Sequence, residues 1–233
     1  MLHRLVFSAA AAGLGGALVV AVFQYLVTTP LILEAEVFEH AASAAGHAAA
    51  AGAGGDAAAG DAGLLRHLVT AAATVVVATG MMLALLGLMV VAGIRITPAR
   101  ALGWGLAGFV AVALAPALGL PPELPGMPAA DLEARQIWWV ATVVATAFGL
   151  WAILVKRRPA WAAAGLLAIV LPHAVGAPEA ASHASGVPAA LAAEFVAASL
   201  TASLLLWTVS SGLAGYLFGR ATDAVEPVGT PDA

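Results

Sequence analysis

Residues 5–33 read LVFSAAAAGLGGALVVAVFQYLVTTPLIL, with no Asp, Glu, Lys or Arg among them. A helix needs about 20 apolar residues to cross a hydrocarbon core of roughly 30 Å. This stretch exceeds that length without a charge. It is also longer than the roughly 7–15-residue core of a secretory leader. The expectation is therefore an uncleaved membrane anchor, with His3 and Arg4 at its start.

Working outward, five more charge-free windows appear at residues 68–94, 101–122, 136–155, 159–178 and 195–219. All are too long for strands, and none alternates as a barrel strand would. The reading is an all-α polytopic membrane helical bundle of about six transmembrane helices. Five are possible, because Pro172 interrupts the fifth window. The spans are placed at about 5–29, 68–94, 101–120, 137–155, 160–177 and 193–218, in one integral membrane domain covering 1–233. Composition agrees. The chain has 233 residues, 62% hydrophobic and 9% charged, with a mean hydropathy of +0.99. Soluble domains are about a quarter charged, so this chain lacks the polar side chains to cover a globule.

Several function classes fall away. The net charge is −4 and no basic patch interleaves with aromatics, so no nucleic acid is expected as a partner. Cysteine is absent, which removes disulfides, thiolate sites and a Cys nucleophile. No G-x-x-x-x-G-K-[ST], H-E-x-x-H or G-x-S-x-G motif occurs. An enzyme is not expected, and neither is a cofactor.

Positive charges set the orientation. With the N-terminus cytoplasmic, the inner segments hold Arg4, Arg95, Arg100, Lys156, Arg157, Arg158 and Arg220, and the outer ones only Arg66 and Arg135. This places both termini in the cytoplasm and the chain in the inner (plasma) membrane, with residues 220–233 as a cytoplasmic tail. Acids gather on the other side, from Glu34, Glu36 and Glu39 through Asp56, Asp61, Glu123, Asp131, Glu133, Glu179 and Glu194. His40, His47, His67, His173 and His183 follow them. Trp104 and Trp161 on the inner side, with Trp138 and Trp139 on the outer side, fit an interfacial aromatic belt. Trp207 lies mid-span, where packing is the simpler explanation.

Residues 41–63 form an Ala/Gly-rich outer loop of low complexity. The inner connections RITPAR and KRRPA read as tight hairpins. Two outward-running helices end alike, in APALGLPPE and LPHAVGAPE. Each places a proline six residues before a second proline and a glutamate. Proline inside a helix removes one backbone hydrogen bond and kinks it. Carbonyls freed at membrane depth need protein, water or an ion, and broken helices beside a polar path mark many transport sites.

Candidate metal ligands are Glu34, Glu36, Glu39, His40, His47 and His173. If the segment after Pro30 is helical, Glu36, Glu39 and His40 share a face. Carboxylates with imidazoles suit divalent first-row ions; an ordinary solvated helix end is the plainer alternative. His173 follows Pro172 inside an apolar span, where an ionisable residue is a functional hypothesis by default. Its plain alternative is a neutral imidazole bonded to a carbonyl of its own turn. Arg66 beside His67 argues against a ligand role there. Met81, Met82 and Met89 read as packing residues rather than a soft-metal ladder. The glycines of GLGG and GWGLAG read as sites of close helix contact.

The stretches TTPLILEAEVFEH, GLAGFVAVALAPALGLPPELPGMPAADLEARQIWWVATVVATAFGL, LPHAVGAPEA and SLTASLLLWTVSSGLAGYLFGR resemble the CbtA family of predicted cobalt transporter subunits. The resemblance implies an integral membrane partner of a small, single-span CbtB subunit with a His-rich motif, associated with cobalamin supply. The family is described with five spans where the windows here number six. The H-x-x-x-x-D-H helix of other cobalt and nickel permeases is absent. The expected function is a membrane subunit of a Co²⁺ uptake transporter. It would capture the ion, which is cargo rather than cofactor, at an acidic, His-rich outer face and pass it along a Pro-kinked path. A non-transporting scaffold for a partner permease, or a transporter of another divalent metal such as nickel, are the alternatives.

Overall fold

A computed structural model describes residues 1–47, 59–156, 158–182 and 185–223, and side chains throughout these except at 40–47, 59–64, 66 and 221–223. All regular structure among them is helical. Helix α1 (Leu2–Phe23) passes through a π-helical turn, Gln24–Thr28, into α2 (Thr29–His47). Next come α3 (Ala59–Val91) and α4 (Pro98–Phe109), which continues through a second π turn, Val110–Leu114, into the short α5 (Ala115–Ala117). Helix α6 (Leu132–Trp151) ends in a third π turn, Ala152–Lys156, followed by α7 (Pro159–Val175) and α8 (Ala189–Asp223).

The chain is thus an all-helical polytopic membrane protein. Five stretches are long and apolar enough to span: Leu2–Glu39, His67–Val91, Pro98–Ala117, Leu132–Lys156 and Ala189–Arg220. The sixth expected span is α7, whose 17 residues sit at the lower edge of spanning length. The first span runs past its expected end at residue 29, because α1 and α2 join without a break. Residues 41–47, read as loop, are the last turns of α2, and residues 59–63 open α3.

Proline explains two of the π turns. Pro30 and Pro116 each lie two residues beyond one. In an α-helix the proline ring would meet the carbonyl four residues back. Instead the N–H of Thr29 reaches back five residues to the Gln24 carbonyl, and that of Ala115 to Val110. The extra residue in the turn makes room for the ring, and the helix continues past the proline. Thr28 Oγ1 also donates to the Gln24 carbonyl, at 3.1 Å.

Two compact units divide the chain. One comprises Met1–Ala21, Arg66–Leu106 and Leu204–Ala233; the other comprises Val22–Leu65 and Ala107–Ser203. In the first, glycines carry the helix contacts the sequence implies. A Cβ at Gly13 would lie 2.7 Å from the Thr79 backbone nitrogen, and one at Gly16 would collide with Ser210. A Cβ at Gly105 would collide with Ser211. Lipid offers no hydrophobic push between helices, so such backbone proximity supplies the attraction through van der Waals contact. Met82, Met89 and Trp207 are buried here, as packing residues should be.

In the second unit α6 and α7 run closely packed. A Cβ on Gly149 or Gly165 would lie 2.6 Å from the other's carbonyl oxygen. Just beyond, Trp151 and Trp161 meet edge to face at 5.7 Å, with the Lys156 ammonium 4.8 Å from the Trp151 ring. The described ends of the KRRPA connection, residues 156 and 158–160, thus join two closely packed helices. Helix α2 packs Leu31, Ile32, Ala35 and Phe38 against Leu124, Met127, Val187 and Leu191. That apolar face fixes where the neighbouring acids of α2 point.

Candidate functional site

Helix α6 starts at Asp131, whose carboxylate accepts from the Ala134 N–H at 3.0 Å and so satisfies one orphan donor of the first turn. Two turns on, Trp138 turns inward and is 8% exposed, while Trp139 is 40% exposed. The aromatic belt expected on this side therefore applies to Trp139 and not to Trp138. Trp138 is held by a hydrogen bond, because its Nε1–H donates to the Pro172 carbonyl at 3.2 Å. That carbonyl also accepts from the Gly176 N–H, at 3.1 Å. Gly176 takes φ +93° and closes α7. Pro172, which weakens its own helix, is thereby tied to α6.

His173 packs on this anchor. Its ring meets the Trp138 ring edge to face, with centroids 5.6 Å apart. Its Nε2 is buried and has no hydrogen-bond partner among the described residues. The plainer sequence reading, an imidazole bonded to a carbonyl of the turn, is not what Nε2 does. Trp138 also bridges the two echoed segments. A Cβ on Gly119 would collide with the Trp138 indole and lie 3.0 Å from Ala177. Only a glycine at 119 lets the first segment approach the ring.

Below Trp138 on the same face of α6 lie Thr142 and Thr146, both fully buried. Thr142 Oγ1 donates to the Trp138 carbonyl at 2.8 Å. Thr146 Oγ1, like His173 Nε2, has no partner among the described residues. The α6–α7 seam thus carries two buried polar atoms that neighbouring helices leave unsatisfied. Such groups in a native structure call for a bound water, an ion or a functional use.

The acidic segment is arranged differently. The helix over Thr29–His47 meets the condition for Glu36, Glu39 and His40 to share a face, spanning an arc of about 100°. Glu34 lies opposite them. Glu34 and Glu39 are exposed and Glu36 is half-buried. Glu39 packs its Cβ on Gly126, whose φ of +79° turns the 118–131 loop beneath α2. The side chains of His40 and His47, and all of His183, fall outside the described residues. Among the described residues no three of His, Asp and Glu come together closely enough to hold a metal. Of the echoed glutamates, Glu123 pairs with Arg135 at 3.0 Å and Glu179 is exposed.

Sequence reasoning missed the inward role of Trp138 and the threonines beneath it. The signal was present as Trp138, Thr142 and Thr146 at intervals of four, which line one face of a helix. What hid it was the adjacent Trp139 and the habit of tryptophan at membrane interfaces. Replacing Trp138 with phenylalanine keeps most of the ring contact and removes the donor. A loss of about 1 kcal/mol is expected, the scale of interhelical hydrogen bonds in membranes. It would be read as reduced thermal stability in detergent, and Thr142→Val should lose less.

No curated protein and no solved structure matches the chain. A family profile does: that of CbtA, described as a probable cobalt transporter subunit, matches residues 2–219. With that match covering nearly the whole sequence, and with five helices long and apolar enough to span among the described residues, the chain belongs to the CbtA family of probable cobalt transporter subunits.

Proposed function

We propose that this chain is the part of a cobalt transporter through which Co²⁺ crosses the inner membrane, with His173 as a ligand on the path. The buried Nε2 of His173, without a partner and braced by Trp138, carries this reading. A neutral imidazole is a strong ligand for borderline first-row dications, and membrane burial without a hydrogen bond disfavours leaving it idle. Glu36, Glu39 and His40 receive the ion at the outer end, with Glu34 and His47 adding field rather than closing the shell. The segregated acids raise the local dication concentration. His173 and the helix turns at Pro116 and Pro172 mark the path inward. Uptake needs no catalysis and no cofactor.

In this arrangement the termini are cytoplasmic, following the Lys/Arg distribution, and a small single-span subunit of the CbtB type is the partner. The test is flux of radiolabelled cobalt into vesicles holding the chain alone and with that partner. Flux in neither condition removes the transport reading. Replacing Glu36, Glu39 and His40 together by alanine should raise the half-saturating Co²⁺ concentration about tenfold, and raising ionic strength should mimic much of that loss. A nickel competition in the same assay decides selectivity, since nickel accepts the same donors.

One observation favours a second reading, that of an assembly subunit for a separate permease. Among the described residues no three-ligand metal group forms. A scaffold would not bind Co²⁺ by itself, and calorimetry on the purified chain separates the two.

A further inference from the structure

An open groove of about 700 Å³ lies in the second unit, lined from the 112–122 segment, the first turns of α6 and the middle of α8. That volume is within the roughly 300–1,000 Å³ of sites that hold a small molecule. The walls are graded along α6. Arg135, Gln136 and Trp139 gather near its start, while Val112, Ala113, Val140 and Leu200 line the groove with hydrocarbon. From Leu132 to Val140 the groove follows α6 for about 12 Å, close to half of a hydrocarbon core of roughly 30 Å. It therefore runs from the boundary where this spanning helix begins through most of one leaflet. Trp139, 40% exposed, is placed as an interfacial anchor. Ser199 and Ser203 also line the wall. A helical serine can turn its hydroxyl back to the carbonyl four residues earlier, so these two leave the wall narrow and uncharged.

The polar end carries one ion pair. Arg135 Nη2 lies 3.0 Å from Glu123 Oε2, and the two side chains keep 29% and 23% of their surface exposed. Glu123 directly follows Pro121 and Pro122, which both line the groove. The pair exhausts neither partner, since the guanidinium has further N–H donors and the carboxylate further lone pairs. A ligand with a single charge of either sign is repelled by one member of the pair. A zwitterion lying antiparallel across it is attracted by both.

We propose that this groove binds a phospholipid with a primary-amine headgroup. Its phosphate lies against Arg135, its ammonium against Glu123, and an acyl chain along Val112, Ala113 and Val140. Burying the chain does not select this lipid, because lipid tails are as apolar as the wall. Selection comes from the headgroup, through charge-assisted hydrogen bonds at both ends. A choline headgroup offers Glu123 no N–H, and a glycerol headgroup offers it no cation. The lipid also lies against Pro116, in the same short segment as Gly119, which abuts Trp138. It thereby steadies that segment on α6. Nothing in this inference depends on the transport reading.

Native mass spectrometry tests it, on the full chain delipidated in detergent and titrated with phospholipids of identical acyl chains. One phosphatidylethanolamine should be held about tenfold more tightly than phosphatidylcholine or phosphatidylglycerol, and should raise the thermal unfolding temperature. Glu123→Gln should reverse the order in favour of phosphatidylglycerol, because Arg135 then stands as a lone cation. Ala113→Leu, which fills the groove and spares the pair, should weaken all three about tenfold. Thermal unfolding without lipid shows that each variant is folded. Equal retention of the three lipids by the wild-type chain overturns the proposal. So does a preference for phosphatidylethanolamine that survives Glu123→Gln, which would leave the ion pair a purely structural role. A dimer mass in place of the lipid adduct, lost in Ala113→Leu, would assign the groove to a second copy of this chain and overturn it too.

Discussion

Replacement of His173 by alanine is expected to lower cobalt uptake at least about tenfold while leaving the protein folded. Losing an outer partner of a metal ligand already costs roughly 10–100-fold in affinity or activity, and a direct ligand should cost no less. Stability should suffer little, because Nε2 makes no hydrogen bond to lose. The ring contact with Trp138 is worth only about 0.5–1.5 kcal/mol. The separation of the two effects is the informative part. A structural histidine would lose stability and uptake together. Uptake of labelled cobalt and thermal unfolding of the same preparation decide between them. Unchanged uptake in the folded variant would take His173 off the path.

The largest structural effect is expected at the α6–α7 seam. Gly165→Val should destabilise the protein by about 1–3 kcal/mol or more, the usual cost of overpacking. Its Cβ would meet the Gly149 carbonyl at 2.6 Å, a rigid backbone atom that no rotamer change removes. The helices would have to separate, which would pull Pro172 from the Trp138 N–H and uncover His173. Uptake should therefore fall with stability, in contrast to His173→Ala. Gly87→Ala is the control. It lies in α3 with nothing within 4 Å of its added Cβ, and alanine favours helix by up to about 1 kcal/mol over glycine. Equal losses at Gly165 and Gly87 would show that helical glycine itself, not the close seam, is what matters.

The spanning helices were legible because their signal is one-dimensional. A run of apolar residues long enough for the bilayer needs no knowledge of its neighbours. The window 68–94 accordingly lies almost wholly in α3, which starts earlier at Ala59, and 137–155 lies in α6 and its closing π turn. Boundaries failed where composition stops reporting structure. Alanine at 41–47 is as comfortable in helix as in a low-complexity loop, and α2 continued into it. The fifth window fell short because α7 ends at Gly176, a positive-φ residue whose role depends on three-dimensional closure.

The candidate site was legible only in part. His173 stood out from the sequence alone, as an imidazole in an apolar span. Glu36, Glu39 and His40 were placed on one helical face by spacing, and the helix exists. What surrounds them could not be read along the chain. Trp138 and Pro172 are 34 residues apart, and nothing local to either predicts their hydrogen bond.

By itself, then, the sequence determined the membrane class, the helical architecture, the prolines placed within its helices and the family. Each follows from side-chain hydrophobicity, backbone chemistry or motif, which are properties of residues in order. Only the tertiary structure decided that Pro30 and Pro116 sit beyond π turns, that Trp138 faces inward and that His173 Nε2 has no partner among the described residues. Satisfying a buried polar atom depends on which helices meet and at what depth, and a glycine-lined seam sets that, not the composition of either helix.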